Sequence, residues 1–168
     1  MALSPAQLAT LKAAILADAT LNAFPNTQDG AFSIAELMNT TNPAVDFWVW
    51  RTSVSRAQIY KETSPDATTW NWTTYKNQAA TEQNAWVQMF MGDAADFSQD
   101  NLRAGIAAIF TGSAQANAQR DHCLSVGRKK ATKTEKTFAT GTGSTVSPGK
   151  VTVTSVNYID VFTARNLP

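Results

Sequence analysis

Apolar residues recur three and four positions apart along much of this chain, the spacing of one buried helix face. In "LSPAQLATLKAAILAD" the stripe is Leu8, Leu11, Ile15 and Leu16. Ser4 can cap it, Pro5 suits the first helical position, and Gln7 completes a capping box. "FPNTQDG" interrupts this helix. Phe32, Ile34, Ala35 and Met38 predict a second over 31–39, ended by "TTNP". Residues 47–50 read as the start of a strand, and "SVSRAQIYKE" as a helix with Val54, Ile59 and Tyr60 inward. Thr81 can cap a helix that turns Trp86, Val87 and Phe90 toward a core and ends at Gly92. Asp100 or Asn101 can cap the next, whose stripe is Leu102, Ile106, Ile109 and Phe110, with Gly112 as its stop. A longer helical stretch runs from 114 to about 130, and Thr132 with Glu135 forms a capping box that restarts the helix.

Two stretches depart from this period. "TTWNWTTYK" alternates Trp70 and Trp72 with polar residues, the pattern of a half-covered strand in a loop or hairpin near 63–76. "GTGSTVSPGK" is low in bulk and rich in turn residues; "KVTVT" then alternates as a strand. "NYIDVFTARNLP" predicts a short amphipathic helix on Tyr158, Val161, Phe162 and Leu167. The expected fold is mainly α: a helical bundle over 1–140 and a C-terminal extended arm over 141–168, carrying a short strand and a terminal helix. A lone strand and helix are seldom stable, so the arm must dock on its own subunit or on a neighbour. A neighbouring chain is the expectation.

Composition narrows the chemistry. With 43% apolar and 16% charged residues among 168, the chain can bury a core and is not disordered as a whole. One cysteine, Cys123, and one histidine, His122, leave no internal disulfide, no multi-cysteine metal site and little histidine-based catalysis. No apolar run is long enough to span a membrane, and the N-terminus does not read as a secretion signal. The net charge of +1 hides an asymmetry: residues 1–119 hold six Lys/Arg against ten Asp/Glu, and residues 120–168 hold eight against three. Such a chain can attract copies of itself or a charged neighbour.

Candidate motifs fail on spacing. "GTGSTVSPGK" ends in Gly-Lys, but Ser144 stands where a phosphate-binding loop needs its first glycine, and Val151 where it needs a hydroxyl. His122 and Cys123 are neighbours in a predicted helix and point about 100° apart, so they read as a surface histidine and a half-buried thiol, not a catalytic pair. Asp93, Asp96 and Asp100 lack the alternation and closing Glu of a calcium loop. Trp48, Trp50 and Trp86 read as core, while Trp70 and Trp72 are candidates for an exposed contact with a partner or a sugar. Arg128, Lys129, Lys130, Lys133 and Lys136 could meet nucleic-acid phosphates, without aromatic interleaving that would read bases. In the arm, Val151, Val153, Tyr158, Phe162 and Leu167 are the interface candidates. No cofactor or metal site and no enzyme activity are expected.

Taken together, "LSPAQLATLKAAILAD", "VWRTSVSRAQIY", "NLRAGIAAIF", "TEKTFATGTGST" and "DVFTARNL" resemble small virion-structure proteins of tailed bacteriophages. The helical architecture with its C-terminal arm is similar to head-to-tail connector adaptors. That resemblance implies a ring of about twelve copies beneath the portal. It also implies contacts with portal and tail proteins, non-specific contact with packaged DNA, and a place in the virion neck after synthesis in the host cytoplasm. Tail-terminator and head-decoration proteins share the interface signals. A carbohydrate- or host-surface-binding module using Trp70 and Trp72 is the alternative of a different class.

Overall fold

A computed structural model describes residues 2–41 and 45–168. Its first half contains α1 (Pro5–Ala17), α2 (Ala19–Asn22), α3 (Gln28–Asn39), β1 (Trp48–Trp50), β2 (Val54–Ser55), α4 (Arg56–Lys61), α5 (Trp72–Lys76) and α6 (Ala80–Met89). Then come β3 (Ala94–Ala95), α7 (Asp100–Ile109), α8 (Ala114–Val126), β4 (Arg128–Lys130), α9 (Lys133–Phe138), β5 (Ala139–Thr140), β6 (Lys150–Val151) and α10 (Tyr158–Arg165). The fold is mainly α with a C-terminal strand and helix, as the periodicity predicts. It divides into two compact units, Met1–Val49 with Lys130–Pro168, and Trp50–Lys129. The division expected at residue 140 is therefore not the one observed: the chain leaves the first unit at β1 and returns at β4.

In the first unit the capping box of α1 is formed in both directions, with the Ser4 amide donating to Gln7 Oε1 at 2.8 Å and the Gln7 amide to Ser4 Oγ at 3.3 Å. Asp18 stops α1 and caps α2, accepting from the amides of Thr20 and Leu21. Thr27 caps α3 three residues earlier than the periodicity suggested. Thr40 closes that helix, while Asn42 and Pro43 of the expected stop lie outside the described residues. α3 buries Ala31, Ile34, Ala35 and Met38 against Leu11 and Ile15 of α1.

The C-terminal helix docks on its own chain. α10 packs on α1 and α3, burying Val161 and Ala164 in the core that holds Leu11, Ile15, Ile34 and Met38. The approach is fixed by Asn39, whose Nδ2 donates to the Val156 carbonyl at 2.7 Å and whose Oδ1 accepts from the Val156 amide at 3.0 Å. Arg165 donates to the carbonyls of Phe24 and Pro25, and Lys12 Nζ to that of Leu167. The expectation of an arm held by a neighbour is thus revised: apolar burial and paired main-chain groups satisfy it internally.

"GTGSTVSPGK" is the loop of a hairpin. β5 and β6 pair antiparallel, Ala139 opposite Val151 and Thr140 opposite Lys150. The Trp48 amide donates to the Gly143 carbonyl at 2.7 Å, and the Gly149 amide to the Trp48 carbonyl at 2.8 Å. Gly143 is in the left-handed region at φ 66° and lies against the Phe47 ring, where a Cβ would collide. The expected free hinge is therefore tied to residues 47–49, with Val146 exposed at its tip.

The second unit surrounds an aromatic core of Trp50, Trp70, Trp86, Phe90, Phe97 and Phe110, with Val54, Ile59, Ile106, Cys123 and Val126. β2 pairs antiparallel with β3, Val54 opposite Ala95. α6 begins at Ala80, not after Thr81, because the Glu82 carboxylate takes the Ala79 amide at 3.0 Å. Val87 lies outside its buried face. Gln99 precedes α7 where Asp100 or Asn101 was expected to cap. α8 ends at Val126 and does not run on to 130. The Gly127 amide closes the helix onto the Cys123 carbonyl at 2.9 Å, and its carbonyl accepts from the Arg51 amide at 2.8 Å.

Candidate functional site

The most exposed aromatic surface in the first unit lies on α3 and α10. Phe32 is 53% exposed, Ile159 57% and Phe162 39%. Phe32 stacks on Tyr158 with ring centroids 4.0 Å apart and 19° between planes. On α10, Ile159 and Phe162 are three residues apart and share the outer face, and Tyr158, four residues before Phe162, is half-buried at its edge. Asn157 caps this helix and Asp160 closes its capping box, while Val161 and Ala164 hold the opposite side in the core. The ridge is therefore displayed by a locked helix. Asp29 and Glu36, three and four residues from Phe32, flank it on α3, and neither carboxylate has an ion-pair partner among the described residues. Tyr158 and Phe162 were predicted here. Phe32 and Ile159 were missed, although their helical phase, about 100° or more off the buried stripe, was legible.

The other arm residues are placed inward. Val151 is half-buried with Val45, Val49 and Ala131. Val153 packs beside the α1–α3 core, and Leu167 is half-buried at the end of α10.

The tryptophan pair separates. Trp70 is 8% exposed, ringed by Tyr60, Tyr75, Trp86 and Phe110 with centroids 4.7 to 5.9 Å away. Trp72 opens α5, 49% exposed, with Tyr60 at 4.8 Å. The segment is a loop and a short helix, not an alternating strand: Asn71 caps α5 by accepting from the Thr74 amide, and its own amide donates to Gln119 Oε1 at 2.9 Å. Trp86 Nε1 donates to the Tyr60 hydroxyl at 2.9 Å. Burial, with Tyr60 nearby, raises the Tyr75 hydroxyl pKa.

The basic block does not form one patch. Arg128 is buried, and its Nη2 meets both carboxylate oxygens of Asp66 at 2.6 and 2.5 Å. Lys130 reaches Asp46 at 3.1 Å and lies 4.9 Å over the Trp48 ring. Lys133 pairs with Asp18 at 2.5 Å. Lys129 is exposed on β4. Arg128, Lys130 and Lys133 thus each meet an acid from a distant part of the sequence.

Lys133 and Lys136 border an open groove of about 820 Å³ between α1, α2 and α9, floored by Ala14, Leu21, Met38 and Val45. The hydrogen bond from Lys133, aided by the Thr20 and Leu21 amides, holds the Asp18 carboxyl below its usual pKa against the opposing effect of burial.

His122 is buried, not on the surface. Its Nε2 lies 2.8 Å from the Ile59 carbonyl, which only accepts, so Nε2 carries a hydrogen. Nδ1 faces Thr68 Oγ1 at 3.1 Å, and that hydroxyl meets Ser64 Oγ at 2.7 Å. The histidine thus braces the loop before Trp70 against α4. Cys123 points into the core, where burial drives its thiol pKa far up. Among the described residues no three His, Cys, Asp or Glu side chains are grouped to hold a metal ion. No helix among them is long and apolar enough to cross a membrane.

Compared with known proteins, the chain matches no family model, no curated protein and no solved structure.

Proposed function

We propose that this chain is a non-enzymatic assembly protein that associates with copies of itself through the ridge of α3 and α10. In the context its sequence resembles, it is a head-to-tail connector adaptor of a tailed-phage virion. One observation carries the reading: Phe32 on α3, and Ile159 and Phe162 on the capped and docked α10, stand in solvent, with Phe32 joined to α10 by its stack on Tyr158. A contiguous apolar row of this kind marks a contact surface, and aromatic side chains on rigid backbone are the usual anchors of such contacts. The arm contributes by its outward face and not by leaving the subunit. The coarser claim, assembly, rests on the ridge; the virion neck, the ring beneath the portal and its tail-protein neighbours rest on the resemblance.

Sedimentation velocity over a concentration series tests this, comparing the wild-type chain with Phe32→Glu/Phe162→Glu. The wild type is expected to form a discrete oligomer and the variant to remain monomeric with an unchanged far-UV circular dichroism spectrum. A wild-type chain that stays monomeric and fails to bind portal rings overturns the reading. The tryptophan-based sugar site is the weaker alternative, because Trp70 is enclosed and only Trp72 offers a ring to solvent.

A further inference from the structure

The ridge has a counterpart elsewhere in the same unit. The groove between α1, α2 and α9 shares no residue with the ridge and differs from it in shape and in charge. Its floor is apolar, from Ala14, Leu21, Met38 and Val45, and its border carries Lys133 and Lys136. Asp18 offsets one of these lysines through its ion pair with Lys133, whereas Lys136 has no ion-pair partner among the described residues. The ridge is the converse: Phe32, Ile159 and Phe162 project, with the carboxylates of Asp29 and Glu36 beside them. On α10 itself, Arg165 has its guanidinium turned to the Phe24 and Pro25 carbonyls. The projecting surface is thus net acidic and the receiving one net basic.

From this complementarity we infer that the groove is the receptor for the ridge of a second copy, so that subunits join head to tail. The inference rests on the assembly reading above and names the other half of the contact. Glu36 and Asp29 of one copy come to Lys136 and Lys133 of the next, while the aromatic row covers the apolar floor. An acidic ridge meeting another acidic ridge would place like charges together, which disfavours the two-fold arrangement. A contact between two different surfaces leaves each copy with one ridge and one groove to use, so it propagates, closing into a ring when the rotation per subunit permits.

The test uses the full chain and exposed positions. Glu36→Lys and Lys136→Glu are each expected to weaken self-association tenfold or more, and an equimolar mixture of the two to restore it, with the copies alternating. Ala17→Trp, at the exposed end of α1 on the groove border, is expected to block association with no change of charge. Association should also weaken as salt rises, since the paired charges lie at the rim. If Phe32→Glu/Phe162→Glu abolishes association but Lys136→Glu and Ala17→Trp leave it intact, the ridge stands and the groove assignment falls. A wild-type chain that never associates removes both. If Lys136→Glu weakens association and the mixture does not recover, the pairing of Glu36 with Lys136 is wrong.

Discussion

Replacing His122 with phenylalanine keeps a ring of similar size in the core of the second unit but removes both of its hydrogen bonds. Those bonds run from Nε2 to the Ile59 carbonyl at 2.8 Å and between Nδ1 and Thr68 Oγ1 at 3.1 Å. Losing the Thr68 bond costs about 1 kcal/mol net, and leaving the Ile59 carbonyl buried without its donor costs about 1–3 kcal/mol. The expected loss is therefore about 2–4 kcal/mol, against about 2 kcal/mol for Thr68→Val, which spares the carbonyl but gives up the hydroxyl's bonds to both His122 and Ser64. Urea unfolding followed by tryptophan fluorescence measures it, because Trp50, Trp70, Trp72 and Trp86 all lie in this unit. With a slope of about 2 kcal/mol per molar urea, the midpoint should fall by about 1–2 M in His122→Phe. The double variant should cost less than the two single changes together, since both remove the same bond. A midpoint within about 0.3 M of wild type, or strict additivity, would refute the claim that His122 braces the loop before Trp70.

The other expectations concern packing, capping and reactivity. Gly127 has ordinary helical backbone, but a Cβ there would enter the Phe97 ring, so Gly127→Ala should cost about 1–3 kcal/mol and Phe97→Leu should recover part of it; an unchanged thermal midpoint would refute the clash. Asp18→Ala should destabilise the first unit by about 1 kcal/mol or somewhat more, through loss of the α2 cap together with the Lys133 pair, and Asp18→Asn, which can still cap, by less. Because the folded state depresses the Asp18 pKa, this contribution is present above the unfolded value of about 3.9 and is lost as pH falls through the lower folded value. Thermal melts of wild type and Asp18→Asn should therefore converge toward pH 3 and separate near neutrality. Cys123 is enclosed with a raised thiol pKa, so a thiol reagent should label it only when the unit opens, and labelling in urea should track the fluorescence transition. Fast labelling of native protein would contradict that burial.

Helix-bearing stretches of the first unit were legible because their determinants are local. Ser4 with Gln7 and Thr132 with Glu135 are pairs three residues apart, and both boxes form as the sequence implied. Trp70 was not legible in this way. Alternation with Asn and Thr suggested an open strand, but Gln119 on α8 takes the Asn71 amide, and rings from α4, α5 and α6, with Phe110 just after α7, close around the indole. His122 was misplaced for the same reason, since its partners Ile59 and Thr68 are more than fifty residues away in sequence.

The sequence by itself determined that helices form, how α1 and α9 are capped, and that a strand and a helix follow the glycine-rich run. Those features depend on neighbours within one turn of backbone. Only the tertiary structure decided where the terminal helix docks and which of its residues remain outside. It also decided which acids meet Arg128, Lys130 and Lys133: Asp66, Asp46 and Asp18, each far away along the chain. Amphipathic patterning specifies that a face must be covered, but apolar burial is non-directional and does not name the covering surface. Here Leu11, Ile15, Ile34 and Met38 supply that surface within the same chain, leaving Phe32, Ile159 and Phe162 to face solvent.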